Sequence, residues 1–101
     1  MLAYKLLTSE ELRLFQETNE FHGTDLDKRD GFIHMSSTAE QYNRVLKKYY
    51  AGISPVHLVH IRLAQLDNLK FEKISNGDIY PHQYGKLVYD RDVEIVVEIV
   101  Q

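Results

Sequence analysis

The chain has 101 residues, of which 44% are hydrophobic, and this is enough for one compact core and too few for two domains. A formal charge of −3 gives no broad attraction to nucleic acid or to an anionic membrane. Because the chain has no cysteine, disulfides, thiolate zinc sites and cysteine nucleophiles are excluded. We therefore predict one domain, residues 1–101, with one site.

The first residues, Met1 to Lys5, lack the basic flank and the long apolar run of a signal peptide. No segment approaches the length of about 20 apolar residues that a membrane-spanning helix needs. We expect a cytoplasmic protein without a membrane partner. Its oligomeric state is left open by the sequence.

Leu2 to Leu7 is patterned as an opening strand, and the capping-box pattern that starts at Thr8 predicts a helix to about Glu17. Leu12 and Phe15 would face the core from this helix.

The polar stretch from Thr18 to Gly31 has few apolar residues, so we predict a surface loop. His22-Gly23-Thr24 within it is interpreted as a turn. Loops of this length often line binding sites.

The stretch after this loop is patterned as a turn, a short strand and the start of a helix. Strand alternation puts Phe32, His34 and Ser36 on one face, and Ile33 and Met35 on the other. The first of these faces is a candidate site, because its polar side chains point away from the apolar pair. The serine there belongs to no nucleophile-elbow motif, so Ser36 or the residue after it is expected to cap the next helix.

The clearest helix follows a second capping-box pattern, Ser37 to Glu40, and ends at Ala51 to Pro55, where glycine and proline stop it. One face of this helix repeats apolar residues at helical spacing. These residues are Tyr42, Val45, Leu46 and Tyr49.

Three further strands complete the chain. Val56 to Leu63 is apolar on both faces, which predicts an interior strand, and Phe71 to Ile74 is a shorter strand that stops at Ser75 to Asp78, a turn signal. Ile79 to Gly85 contains proline and glycine and is predicted to be irregular. The closing strand is predicted to share one apolar face, formed by Val93, Ile95, Val97 and Ile99.

Five histidines raise the question of a metal site. His57 and His60 lie three residues apart on a strand, so they point to opposite faces and cannot easily share one ion. We expect His57 near a strand end and His60 hydrogen-bonded within the sheet. A site joining His34 and His82 is geometrically open, but no carboxylate spacing supports it. We therefore predict no metal ion.

Pro81 to Gly85 places His82 and Tyr84 in a short rigid segment. Both side chains donate or accept hydrogen bonds, and tyrosine stacks on planar ligands. These two side chains either line a site or pack as structural residues, and the residues alone leave both interpretations open. Glu72, taken alone, is most simply a surface residue.

Several segments together resemble one small bacterial family, the Domain of Unknown Function 952. The segments are Tyr4-Lys5-Leu6-Leu7, Asp30-Gly31-Phe32-Ile33-His34-Met35-Ser36, Glu40-Gln41, Tyr50-Ala51-Gly52, Glu72 and Pro81-His82-Gln83-Tyr84-Gly85. The resemblance runs nearly end to end, and the ordered pair Gly-Phe-Ile-His-x-Ser and Pro-His-x-Tyr-Gly is fairly specific.

The resemblance implies an ADP-ribosyltransferase-like fold: a small α+β domain with a bent, split, mostly antiparallel sheet, two main helices and a cleft between the halves. In the similar RNA 2′-phosphotransferases, the strand His-Ile-His-Leu resembles Phe32-Ile33-His34-Met35 here.

Carried over by position, the resemblance implies that His34 and Glu72 are catalytic, with Glu72 steadying the ribose and the positive charge that grows as a glycosidic bond breaks. It implies that Ser36, His82 and Tyr84 bind the ligand. The implied substrate is a nucleotide such as NAD or ADP-ribose, and the implied chemistry is ribosyl transfer or hydrolysis.

A second hypothesis is a non-catalytic module that retains the fold and binds a small ligand or peptide in the same cleft. It is favoured by Lys5, which stands where transferases of this fold often place a cleft histidine or arginine. A third hypothesis makes the cluster from His34 to Tyr84 a polar scaffold between the two half-sheets.

Overall fold

The computed structural model describes residues 1–101 and contains eight strands and four helices. In chain order they are β1 (Leu2–Thr8), α1 (Ser9–Thr18), β2 (Glu20–Phe21), α2 (Asp25–Asp30), β3 (Ile33–His34), α3 (Ala39–Tyr49), β4 (Val56–Arg62), β5 (Leu69–Lys73), β6 (Ile79–Gln83), β7 (Leu87–Val88), α4 (Tyr89–Asp92) and β8 (Val93–Ile99). None of the helices has the length and apolar character that a membrane crossing requires.

The strands form three antiparallel sheets, with the orders β1-β4-β8, β3-β6-β5 and β2-β7. The prediction of an interior strand is confirmed by β4, since it pairs on both sides and Val56, Val59 and Ile61 are fully buried. The single α+β domain and its mostly antiparallel strands are likewise confirmed. The structure contains the two main helices that were predicted and two further short helices, α2 and α4.

Helix α1 begins as the sequence predicts. The Thr8 hydroxyl accepts from the Glu11 backbone N–H, and the Glu11 side chain accepts from the Thr8 N–H, which completes a capping box. Leu12 and Phe15 are buried in the main core, as expected from their spacing. The helix ends at Asn19, whose φ of 64° is left-handed.

The prediction of a surface loop from Thr18 to Gly31 is wrong, because this stretch contains β2 and α2. Thr24 and Asp27 form a capping box at the start of α2, and Gly31 ends it with a φ of 87°. Six residues are too few to show a helical apolar period, so local capping and the buried Asp27 define this helix. His22 and Gly23 lie between β2 and α2, and Thr24 is the N-cap of α2.

The alternation predicted around β3 is confirmed. Ile33 and Met35 are buried in the main core, whereas Phe32 and His34 are only partly buried on the other face. Ser36 pairs with Tyr4 instead of capping a helix, and two 2.8 Å backbone hydrogen bonds in this pair join the sheet of β1 to the sheet of β3.

The N-cap of α3 is Thr38, so the predicted capping box one residue earlier is wrong. The side chain of Gln41 accepts from the Ser37 N–H at 2.7 Å, which satisfies the residue before the cap. Val45 packs beside its helix neighbours against the strands, but Tyr49 is exposed, and Tyr50 beyond the helix end packs in its place.

The segment predicted to be irregular is a strand, β6, at the centre of its sheet. Pro81 has no N–H to donate, and it contributes its carbonyl to the Met35 N–H at 3.1 Å. Proline therefore takes part in this pairing through its carbonyl alone. No pattern in the sequence predicted β7 or α4.

The predicted face of the closing strand is partly wrong. Ile95 and Val97 are 50% and 42% exposed, and Val96 packs against the main core. A register shift between His60 and Ile61 places Val93 opposite Ile61. Val93 therefore does not share the face that strict alternation predicts.

Candidate functional site

A cavity of about 500 Å³ lies between the sheet of β1 and the sheet of β3, beside the helices α2 and α3. This volume lies within the usual range for small-molecule sites. Tyrosines on several elements line the cavity: Tyr4, Tyr49, Tyr50 and Tyr80. It therefore offers aromatic surface on which a planar ligand stacks.

Asp27 is the most heavily hydrogen-bonded side chain at this cavity. Its carboxylate receives Lys5 Nζ at 2.8 and 3.0 Å, His34 Nδ1 at 2.6 Å, the His34 backbone N–H at 3.1 Å and the Thr24 N–H at 2.9 Å. Burial alone raises the pKa of Asp27, but the hydrogen bonds from His34 and Lys5 and the charge of Lys5 hold it well below its usual range.

Lys5 is buried beside Asp27, and it also donates to the His34 carbonyl at 2.8 Å. Burial lowers the pKa of Lys5, although Asp27 opposes this effect. The pair ties β1 to α2 and β3, so Lys5 occupies the wall of the cavity as a structural cation.

His34 lies between two carboxylates. Its Nδ1 faces Asp27 at 2.6 Å, and its Nε2 faces Asp30 Oδ2 at 3.0 Å. The hydrogen bond to Asp27 places a proton on His34 Nδ1, because an ionised carboxylate only accepts. The His34 ring is thus held in one orientation between Asp27 and Asp30.

His82 is held differently, by one carboxylate. Its Nδ1 lies 2.8 Å from Glu72 Oε1, and the Tyr84 hydroxyl donates to the same oxygen at 2.5 Å. These hydrogen bonds, that of Tyr84 first, lower the pKa of Glu72, and Glu72 in turn raises the pKa of Tyr84. The Phe32 ring stacks on His82 at 4.0 Å between centroids with a 25° tilt.

The five residues predicted for the site lie on the neighbouring strands β3, β5 and β6 or just beyond their ends, but only part of the set faces the cavity. His34, Ser36 and His82 line it, and the centroids of the two imidazole rings are 5.6 Å apart. Glu72 and Tyr84 do not line it, and they meet it only through His82.

Sequence reasoning missed the charged residues that α2 and α3 bring to the cavity. Asp27 and Asp30 hold His34, while Arg44 and Lys48 add positive charge from α3. The signal that could have identified Asp27 is its spacing of three from Thr24, which matches a helix start. Nothing in the local pattern indicates that α3 would turn its basic residues toward the same space.

The other histidines lie elsewhere. His57 Nε2 is 2.9 Å from the Ser9 hydroxyl. The Nε2 atom of His60 is buried without a partner, so the expectation of a hydrogen-bonded His60 is wrong for that nitrogen. His60 instead packs edge-on against the Tyr4 ring. No group of three or more His, Cys, Asp or Glu side chains is arranged to hold a metal ion.

The fold is closely similar to that of protein CC0527 from Caulobacter crescentus. Its crystal structure matches with a TM-score of 0.89 and 29% sequence identity, over 97% of this chain and 85% of that one. Its solution NMR structure matches with a TM-score of 0.81 and 30% identity, over 95% and 82% of the two chains.

No curated protein matches the chain. A family model described as "Protein of unknown function (DUF952)" matches residues 6–96. Since that match spans most of the sequence, the chain belongs to the DUF952 family.

Proposed function

We propose that this protein binds a nucleotide of the NAD or ADP-ribose type in the main cavity and acts on it as a ribosyl transferase or hydrolase. The proposal includes an ADP-ribosyltransferase-like ancestry for the split sheet. Its main support is one juxtaposition: His34 and His82 meet on the wall of a tyrosine-lined cavity of about 500 Å³.

The charges of the cavity suit a ribosyl transition state. Carboxylates on α1 and α2 line it, namely Glu11, Asp25, Asp27 and Asp30. Positive charge develops on the ribose ring as a glycosidic bond breaks, and negative groups fixed nearby stabilise that charge. Lys48, which lines the cavity, is available to anionic phosphates or to ribose oxygens.

Isothermal titration calorimetry with NAD and with ADP-ribose tests this proposal. We expect the wild-type protein to bind, and His34→Ala to weaken binding by about tenfold or more, since a hydrogen bond to a charged group is worth about 1.5–3 kcal/mol. His57→Ala, outside the cavity, is the matched control and should bind like the wild type. Absence of binding, or equal binding by His34→Ala, would contradict the proposal.

The second candidate is a non-catalytic module for a small ligand or peptide. It is favoured by the position of Glu72, whose carboxylate is engaged by His82 and Tyr84 and lies outside the lining of the cavity. Ligand binding without turnover, unchanged by Glu72→Gln, would decide for this module.

A further inference from the structure

We propose that His82 is the proton acceptor of the main cavity, and that Glu72 is a positioning residue that acts through it. This inference rests on the proposed nucleotide chemistry, and it gives Glu72 a role other than direct contact with the ribose.

The hydrogen bond to Glu72 determines which nitrogen of His82 is free. Because a carboxylate only accepts, the Nδ1 atom that lies 2.8 Å from Glu72 Oε1 carries a proton. In the neutral ring, the Nε2 atom then has the lone pair. The Nε2 atom of His82 has no hydrogen-bond partner in the protein, and His82 lines the cavity.

The surroundings fix the ring in this orientation. Phe32 stacks on the imidazole with centroids 4.0 Å apart, and the side chain of His82 is only 5% exposed. The Tyr84 hydroxyl holds the same Glu72 oxygen, which limits the movement of the carboxylate. A base held by packing and by an oriented carboxylate is the arrangement that general base catalysis uses.

His34 is less suited to this role, because both of its ring nitrogens face carboxylates, Nδ1 at 2.6 Å from Asp27 and Nε2 at 3.0 Å from Asp30. Its ring centroid lies 5.6 Å from that of His82. The two imidazoles therefore differ in their surroundings: both ring nitrogens of His34 face carboxylates, whereas only Nδ1 of His82 does.

In hydrolysis, a water molecule between His82 and the ribose would attack C1′. The oxygen of water forms the new bond to C1′, and its proton passes to His82 Nε2. The C1′–N bond breaks, and its electron pair leaves with neutral nicotinamide. The products are ADP-ribose and nicotinamide, and the proton on His82 is released to solvent, so the step needs no reactant besides NAD and water.

Nitrogen-15 NMR of the histidine rings tests the tautomer without any ligand. In the neutral ring of His82 we expect the proton on Nδ1 and the lone pair on Nε2. Glu72→Gln should shift the His82 tautomer equilibrium, whereas Glu98→Gln, an exposed strand glutamate without a hydrogen bond, should leave it unchanged. A wild-type His82 protonated at Nε2, or no response to Glu72→Gln, would overturn the proposal.

Nicotinamide release from NAD tests the catalytic role. His82→Ala should lower the rate by about 100-fold or more, the usual contribution of a general base, and should change ADP-ribose affinity by less than about twofold. Glu72→Gln should lower the rate less, and His57→Ala should match the wild type.

The outcomes separate the two proposals. ADP-ribose binding without nicotinamide release by the wild type overturns the role of His82 and leaves the binding proposal standing. If His82→Ala loses binding and turnover together, His82 is a binding or structural residue and the inference fails. If the wild type binds neither nucleotide, the proposed function itself fails.

Discussion

At the scale of single residues, the cavity depends on the buried charge pair between Lys5 and Asp27. The side chains are 8% and 1% exposed, with 2.8 Å between Lys5 Nζ and Asp27 Oδ2. Removing one member of such a pair leaves a buried charge without compensation, which costs far more than the pair contributes to stability when intact.

Asp27→Asn should therefore lower the free energy of unfolding by about 3–5 kcal/mol. Urea denaturation followed by circular dichroism measures this change. Asp25→Asn is the matched control, because Asp25 lies exposed on the same short helix without a hydrogen bond, and it should cost less than about 1 kcal/mol. Equal losses for the two variants would contradict a structural role for the pair.

The lowered pKa of Asp27 also predicts how stability depends on acid. Because the folded pKa lies below the unfolded value of about 3.9, the stabilisation is fully present above that value and is lost as the pH falls toward the folded pKa. Between about pH 5 and pH 2, the free energy of unfolding should fall more steeply for the wild type than for Asp27→Asn. Parallel pH profiles of the two proteins would contradict this expectation.

Tyr84 provides a test of the second carboxylate. Tyr84→Phe removes the main hydrogen bond that lowers the pKa of Glu72, so that pKa should rise toward its ordinary value. A carbon-13 NMR titration of the glutamate carboxyls measures it. Tyr49→Phe removes a hydroxyl without a hydrogen bond at an exposed position and should have no effect on Glu72. A Glu72 pKa that does not move in Tyr84→Phe would show that the contact is absent in solution.

At the scale of elements, two substitutions distinguish the two possible N-cap residues of α3, Ser37 and Thr38. Thr38→Ala should lower the free energy of unfolding by about 1 kcal/mol, because the Thr38 hydroxyl accepts from the Gln41 N–H. Ser37→Ala should have little effect, since only the backbone N–H of Ser37 is hydrogen-bonded there. Thermal denaturation of both variants measures the difference, and the reverse order of stability would place the cap at Ser37.

The sequence predicts best the elements whose apolar residues repeat regularly over several positions or whose capping residues are all present. Helix α1 has its capping box and its two buried apolar residues, and β4 has apolar residues on both faces. Helix α2 and strand β6 escaped prediction, because one apolar residue among the six of α2 shows no period and Pro81 argues against an interior strand. Their positions are determined by tertiary contacts, such as the Met35 N–H bonding to Pro81.

The same limit applies to the candidate site. Alternation along one strand placed His34 and Ser36 on a common face, the Pro81 to Gly85 segment indicated His82, and the family resemblance indicated Glu72. The partners that define their chemistry come from separate elements: Asp27 from α2 and Lys5 from β1. No local pattern predicts contacts between residues so far apart in the chain.

At the scale of the whole molecule, the two larger sheets meet at one bridge, between Tyr4 and Ser36, and diverge to form the cavity. The main core lies under α1, and a second core lies between α3 and the sheet of β1. The cavity is thus bordered by rigid packed elements, and its histidines come from the strands β3 and β6. Sites carried on strands are positioned more precisely than sites on loops.

The central claim is that this space between the sheets takes a nucleotide. Backbone amide NMR of the isotope-labelled protein, titrated with ADP-ribose, tests it most directly. We predict saturable shifts at Leu6, Asp30, His34 and Tyr80, which line the cavity on four different elements or their ends, and none along β8. A titration that shifts no amide, or shifts that cluster on the exposed residues of β8, would contradict the claim.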